Sequence, residues 1–166
     1  PVPTDGGHLH SVRCVRLGKR PSNGPAPANR LPLGWAVGDG GLVLQTRDEG
    51  QSWGRPPGRL PGGVEQYFDF QSVAVFGQAC WIVGAPGSRV LHTADGGQSW
   101  ELFDTGHPTP LRAVTFLDQY RGWAVGSLGT ILATRDGGRS WNVQRLGGER
   151  IAWLCIASRP EQLPLE

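Results

Sequence analysis

The chain alternates short apolar runs with clusters of glycine, proline, aspartate and serine, and none of its apolar stretches keeps the spacing of an amphipathic helix. Residues 9–17, 68–76 and 111–117 are apolar runs with an imperfect two-residue period. In the last of them Leu111, Ala113 and Thr115 alternate with Val114 and Phe116. Each is followed by a Trp-Ala/Ile-Val-Gly run, a Val/Ile-Leu-x-Thr run and a turn that closes on tryptophan. The same text is written three times: GWAVGDGGLVLQTRDEGQSW from Gly34, CWIVGAPGSRVLHTADGGQSW from Cys80 and GWAVGSLGTILATRDGGRSW from Gly122. Trp35, Trp81 and Trp123 open the copies. Trp53, Trp100 and Trp141 close them, 47 residues apart (53 to 100) and 41 residues apart (100 to 141). A period of about 40–50 residues built from short strands is that of a β-propeller blade. The pattern therefore predicts an all-β chain of blades, each with four antiparallel strands A to D.

The most specific text, T-x-D-x-G-x-S-W, falls in the turn from strand C to strand D. It comprises Thr46, Asp48, Gly50, Ser52 and Trp53; then Thr93, Asp95, Gly97, Ser99 and Trp100; then Thr134, Asp136, Gly138, Ser140 and Trp141. A turn aspartate accepts hydrogen bonds from backbone N–H groups a few residues on. The glycine reaches backbone angles closed to other residues, the hydroxyls satisfy the remaining turn groups, and the tryptophan buries a large area where strands meet. A calcium loop would need a higher density of carboxylates, so these aspartates are expected to be structural and no metal is assigned.

These residues match the Asp-box, or bacterial neuraminidase repeat, of β-propellers. The wider wording resembles the photosystem II stability/assembly-factor family over about residues 9–141. It departs at Glu49, which replaces the first glycine of Asp-Gly-Gly, and at Pro86, which interrupts the second B–C turn. The resemblance implies a ring with more blades than the three written here, an assembly role without a cofactor, and an extracytoplasmic location, periplasmic or secreted.

Composition changes this picture little. With 26 Gly, 14 Pro and 38% hydrophobic residues in 166, the chain is turn-dense rather than disordered. A net charge of +2 gives no ground for a nucleic-acid partner. Cys14, Cys80 and Cys155 each fall in an expected strand, without metal-site spacing, and read as buried free thiols. No apolar run reaches membrane-spanning length, so direct membrane insertion is not expected.

In chain order, residues 1–8 form a lead-in and 9–59 a first blade. That blade carries an exposed loop insertion over 18–32 with Lys19, Arg20 and Arg30. Residues 60–104 and 105–146 form the second and third blades. Residues 147–166 carry the first strand of a fourth, at 151–157, and a tail. Such an incomplete ring leaves open strand edges. It is expected to belong to a longer ring or larger protein, or to close by self-association or by docking on another protein.

Sialidase chemistry needs converging arginines, a Tyr/Glu nucleophile pair and an acid. Tyr67 and Tyr120 are the only tyrosines, and no catalytic residue is assigned. Two readings stand: a non-catalytic binding or scaffold module, or part of a sialidase- or glycosidase-like propeller or an accessory propeller of a larger enzyme. In up-and-down blades the A–B and C–D turns share one rim, and the B–C and D–A segments share the other. The D–A segments vary most between copies, and variable loops on a rigid scaffold carry binding. A protein partner is expected on the rim opposite the Asp-boxes, with Asp39, Arg59, Tyr67, His107, Arg112 and Arg150 as candidates, and further blades are expected beyond the three written here.

Overall fold

The structure is a computed structural model that describes residues 7–14, 34–145 and 156. Its strands form three antiparallel sheets, each in simple up-and-down order. The first sheet is β1 (Leu9–Cys14), β2 (Gly34–Gly38) and β3 (Val43–Thr46). The second is β4 (Asp69–Phe76), β5 (Ala79–Ala85), β6 (Arg89–Thr93) and β7 (Glu101–Asp104). The third is β8 (Leu111–Phe116), β9 (Gly122–Gly126), β10 (Ile131–Thr134) and β11 (Asn142–Arg145). The first strands of the sheets lie side by side: Val73 N–H donates to Ser11 Oγ at 3.4 Å and Val114 N–H to Ser72 Oγ at 3.3 Å. The insertion over 18–32 and the strand expected at 151–157, apart from Ile156, lie outside the described residues.

Hydrogen bonds between turns define the two rims. Gly96 N–H donates to Gln78 O at 3.0 Å and Gly137 N–H to Tyr120 O at 3.0 Å, which joins the second and third C–D turns to the A–B turns of their own blades. At the other end Thr105 N–H donates to Ser88 O at 2.9 Å, and Ser127 N–H donates to Pro110 O at 3.1 Å. There the B–C turns meet the D–A segments.

The three Asp-box turns are built alike. Asp136 Oδ1 accepts from Ser140 N–H at 3.0 Å and from Thr134 Oγ1 at 2.7 Å, and Ser140 Oγ donates to Oδ2 at 2.5 Å. Thr134 Oγ1 in turn accepts from Gly138 N–H at 2.9 Å. Asp48 and Asp95 repeat these bonds with Thr46 and Ser52, and with Thr93 and Ser99. The bonds hold all three carboxyls at a pKa of about 2. For Asp48 the Ser52 hydroxyl and N–H dominate. For Asp95 and Asp136 burial pushes the value up, and the serine and threonine bonds overcome it.

Sheets pack face to face through one repeated contact. The opening tryptophan of a blade lies against the Asp-box of the next. The Trp35 ring rests where a Cβ on Gly97 would come within 2.7 Å of it, and meets Trp100 edge-on at 5.6 Å. Trp81 Nε1 donates to Gly137 O at 2.6 Å, and its ring stacks on Phe116 at 3.6 Å. Trp35, Val37 and Val43 of the first blade share a core with Phe70, Val73, Ile82 and Leu91 of the second. Trp81, Val83 and Val90 do the same with Leu111, Val114 and Leu132 of the third.

Four expectations are corrected. The first blade has no fourth strand among the described residues. After Trp53 only the Gln45–Gly54 bridge forms, because Pro56 and Pro57 follow and have no N–H to donate to a ladder. The segment between the first and second blades contains a helical turn, α1 (Val64–Tyr67), where none is expected. Val64 is wholly buried and pins that turn to the core between the first two blades. Cys14 is exposed while Cys80 is buried. Its counterparts by strand register are Val75 and Phe116, but no described blade covers the β1 side of the first sheet. Finally, Trp35 and Trp81 are fully buried with Val37, Val83 and Val125, whereas Trp123 is partly exposed, since no described Asp-box lies against it.

Gly50, Gly97 and Gly138 all have positive φ, at 88°, 87° and 89°. Gly97→Ala and Gly50→Ala therefore share one backbone penalty, and only Gly97→Ala also drives a methyl into Trp35. In urea unfolding Gly97→Ala should cost about 1–3 kcal/mol more than Gly50→Ala. Equal costs would remove Trp35 from the contact. The depressed aspartates add stability that is complete above their unfolded value of 3.8 and is lost as pH falls through about 2. Thermal unfolding followed by circular dichroism should show the melting temperature falling within that window, and falling less in an Asp136→Asn variant.

Candidate functional site

The first strands carry a feature that the sequence pattern conceals. In each sheet the register between first and second strand slips at the same place, between Leu9 and Ser11, Phe70 and Ser72, and Leu111 and Ala113. Each slip leaves one residue as a bulge: His10, Gln71 and Arg112. A bulge re-aims its side chain and bends its strand. All three residues line one cavity of about 320 Å³, together with Ser11, Arg13 and Ser72. They stand near the start of their strands, so the cavity lies towards the rim where the B–C turns and D–A segments meet. A neighbouring cavity of about 280 Å³ shares Arg13 and Ile156 with it and runs towards the Asp-box side along Cys14, Phe76 and Phe116.

The lining of the larger cavity is basic and polar. Arg112 Nε is buried without a hydrogen-bond partner, and Arg13 and His10 lie along the same wall. No carboxylate is among the described residues that line either cavity. Beside it, Asp39 accepts from His10 Nε2 at 2.5 Å and from His8 N–H at 3.2 Å. These bonds, the His10 one foremost, lower its pKa. Buried guanidinium groups with free N–H donors favour a carboxylate or a run of backbone carbonyls.

The six candidate residues are only partly brought together. Asp39 lies in the first B–C turn, whose Gly40 N–H donates to Asp69 Oδ1 at 2.9 Å and Gly41 N–H to Phe68 O. Tyr67, at the end of α1 and 69% exposed, is therefore next to that turn. His107 is on the second D–A segment, half-buried, and Arg112 is in the cavity wall. Arg59 stands apart. Its neighbour Gly58 donates to Gly97 O at 2.8 Å, on the Asp-box side, because the Pro56-Pro57 segment crosses to the second blade there. Arg150 lies outside the described residues. His10, Gln71 and Arg13 are not among the six. The sequence signal of His10 and Gln71 is a polar residue two positions before Val12 or Val73, and a bulge cannot be read from an alternation already imperfect.

A family model described as photosynthesis system II assembly factor YCF48 matches residues 29–113, half of the chain. The chain belongs to this family. The photosystem II assembly lipoprotein Ycf48 of Synechococcus sp. (strain CC9902) is 36% identical over 110 residues, covering 65% of this chain and 32% of the relative. The chloroplastic photosystem II stability/assembly factor HCF136 of Oryza sativa subsp. japonica is 30% identical over 112 residues, covering 65% and 26%. The chain thus spans about a third of the length of the curated relatives it matches. Among solved structures, YCF48 bound to D1 peptide is 34% identical with a TM-score of 0.59 and covers 71% of this chain and 39% of that one. YCF48 from Cyanidioschyzon merolae has a TM-score of 0.62 at 28% identity and covers 86% and 38%. The all-β architecture of Asp-box blades is that of the YCF48 propellers. Among the described residues no helix is long and apolar enough to cross a membrane.

The cavity offers a chemical check on this geometry. Cys14 lines the smaller cavity and is exposed, whereas burial pushes the Cys80 thiol well above its ordinary value. A maleimide applied to the native chain, mapped by peptide mass, should label Cys14 and spare Cys80 until denaturant is added. Labelling of both at equal rates would mean that the blade cores are open.

Proposed function

We propose that this chain is a non-catalytic, protein-binding propeller segment that holds an extended peptide across the rim opposite its Asp-boxes. One observation carries the reading: three bulge residues on three successive inner strands, His10, Gln71 and Arg112, meet in one cavity beside that rim. A lining that is basic, with no carboxylate among the described residues, suits the carbonyls and acidic groups of a peptide better than it suits glycoside hydrolysis, which uses paired carboxylates. Family membership points the same way, because a YCF48 relative has been solved bound to a D1 peptide. Asp39, Tyr67 and His107 would flank the mouth. The lipoprotein relative supports an extracytoplasmic setting.

The D1 peptide is the probe of choice. Fluorescence anisotropy with labelled peptide should give saturable binding to the chain, weakened tenfold or more (about 1.4 kcal/mol) when His10, Gln71 and Arg112 are all alanine. A double variant of Arg135 and Arg139 on the Asp-box rim should bind as the parent does. Binding that survives the triple change and fails in the double variant would move the peptide site to the other rim.

A further inference from the structure

We infer that His92 makes the joint between the second and third blades acid-sensitive: a proton taken up by its ring loosens the hold of Trp81 on the third Asp-box, while the joint between the first two blades stays as it is. The two joints are built alike but for one residue. By strand register the residue opposite the opening tryptophan is Gln45 for Trp35 and His92 for Trp81. Only the second of these can change its charge. His92 is 7% exposed, and its Nδ1 is buried without a hydrogen-bond partner among the described residues. Its ring lies in a run of four that crosses the joint. Phe116 of the third blade stacks on Trp81 at 3.6 Å, Trp81 stacks on His92 at 5.3 Å, and His92 meets Phe103 at 6.1 Å. The indole in this run is the one that donates to Gly137 O at 2.6 Å.

Among the described residues, charged groups act on the ring from three sides. Glu101 on β7 brings Oε2 to 4.0 Å from Nδ1, and Asp95 stands on the Asp-box turn of the same blade. Arg139 acts from the Asp-box of the third blade and opposes a positive charge on the ring. On β6 itself Arg89 is engaged elsewhere, with Asp104 at 3.6 Å and over the Phe68 ring. An imidazolium would gain from Glu101 and from lying over the indole. It would also lose its water, at a nitrogen with no acceptor within bonding distance. Burial prevails and Arg139 adds to it, so in the closed joint the pKa of His92 lies below its ordinary 6.5. In an opened joint the ring is wet and returns to the ordinary value. The joint is therefore at full strength above pH 6.5 and weakens as pH falls from there to the lower closed-state value. Gln71 and Ser72 line the cavity from the second blade and Arg112 from the third, so this joint also sets the spacing of the cavity walls.

Each joint carries its own reporter. Val114 N–H donates to Ser72 Oγ across the second joint, and Val73 N–H to Ser11 Oγ across the first. Hydrogen exchange of these two amides, followed by NMR on the whole chain from pH 7.5 to pH 5 and corrected for the intrinsic rate, tests the inference. Protection of Val114 should fall about threefold or more across that range, and by no more than about tenfold per pH unit, the limit for one proton. Val73 should keep its protection. His92→Gln, which copies the first joint, should abolish the fall at Val114. Two milder variants at exposed side chains leave the ring in place and move the effect in opposite directions: Arg139→Gln should shrink the fall and Glu101→Gln should enlarge it. These two decide the matter if His92→Gln does not fold. Equal loss at Val73 and Val114, no loss at Val114, or a loss that persists in His92→Gln overturns the inference. So does a failure of the two milder variants to diverge.

Discussion

The contact between an opening tryptophan and the Asp-box of the next blade is what the rest of the molecule depends on. A single four-stranded sheet of this length has two faces to cover and cannot make a core of its own. The Asp-box makes the covering possible because its turn is held by its own aspartate, serine and threonine, before any neighbour arrives. A stiff turn with glycine at its crest presents a flat backbone surface on which an indole can rest. The carboxylate satisfies N–H and hydroxyl donors that would otherwise be orphaned near that interface. The fold is thus made of rigid corners and apolar faces, and the inner strands are free to vary.

That freedom is used on the inner strands. Ser11 and Ser72 tie neighbouring first strands through their hydroxyls, at positions where the third blade has Ala113. One residue earlier the bulges turn His10, Gln71 and Arg112 into a common space. A bulge is inexpensive there because the second strand still pairs on both sides of it. The same arrangement, repeated with three different polar side chains, gives a lining that differs around the cavity while the scaffold does not.

The blades, their order and the rim on which each turn lies were legible in the sequence because tryptophan, glycine and the Asp-box recur at fixed offsets. Three other features were not read from it. The bulges leave no trace in a first-strand pattern that already alternates poorly, so His10 and Gln71 stayed hidden. The missing fourth strand of the first blade could have been read from Pro56 and Pro57, whose lack of N–H groups outweighs the family pattern. The exposure of Cys14 and Trp123 is a property of position in the array: Trp123 stands in the same GWAVG text as the buried Trp35, and only neighbours decide the difference. Arg59 shows the limit from another side: the segment that carries it is tethered by Gly58 to the second Asp-box, a contact with no sequence signature.

Because each blade touches only the blades beside it, resistance to opening is graded along the chain. Among the described residues the second sheet is clamped on both faces, through Trp35 on one side and Trp81 on the other, whereas each outer sheet shows one such clamp. Among the described sheets, the amide protons of β5 and β6 are therefore expected to be the last to exchange with solvent. The middle blade is in effect the kinetic anchor of the array, and the loops that gather around the cavity belong to units that breathe against it.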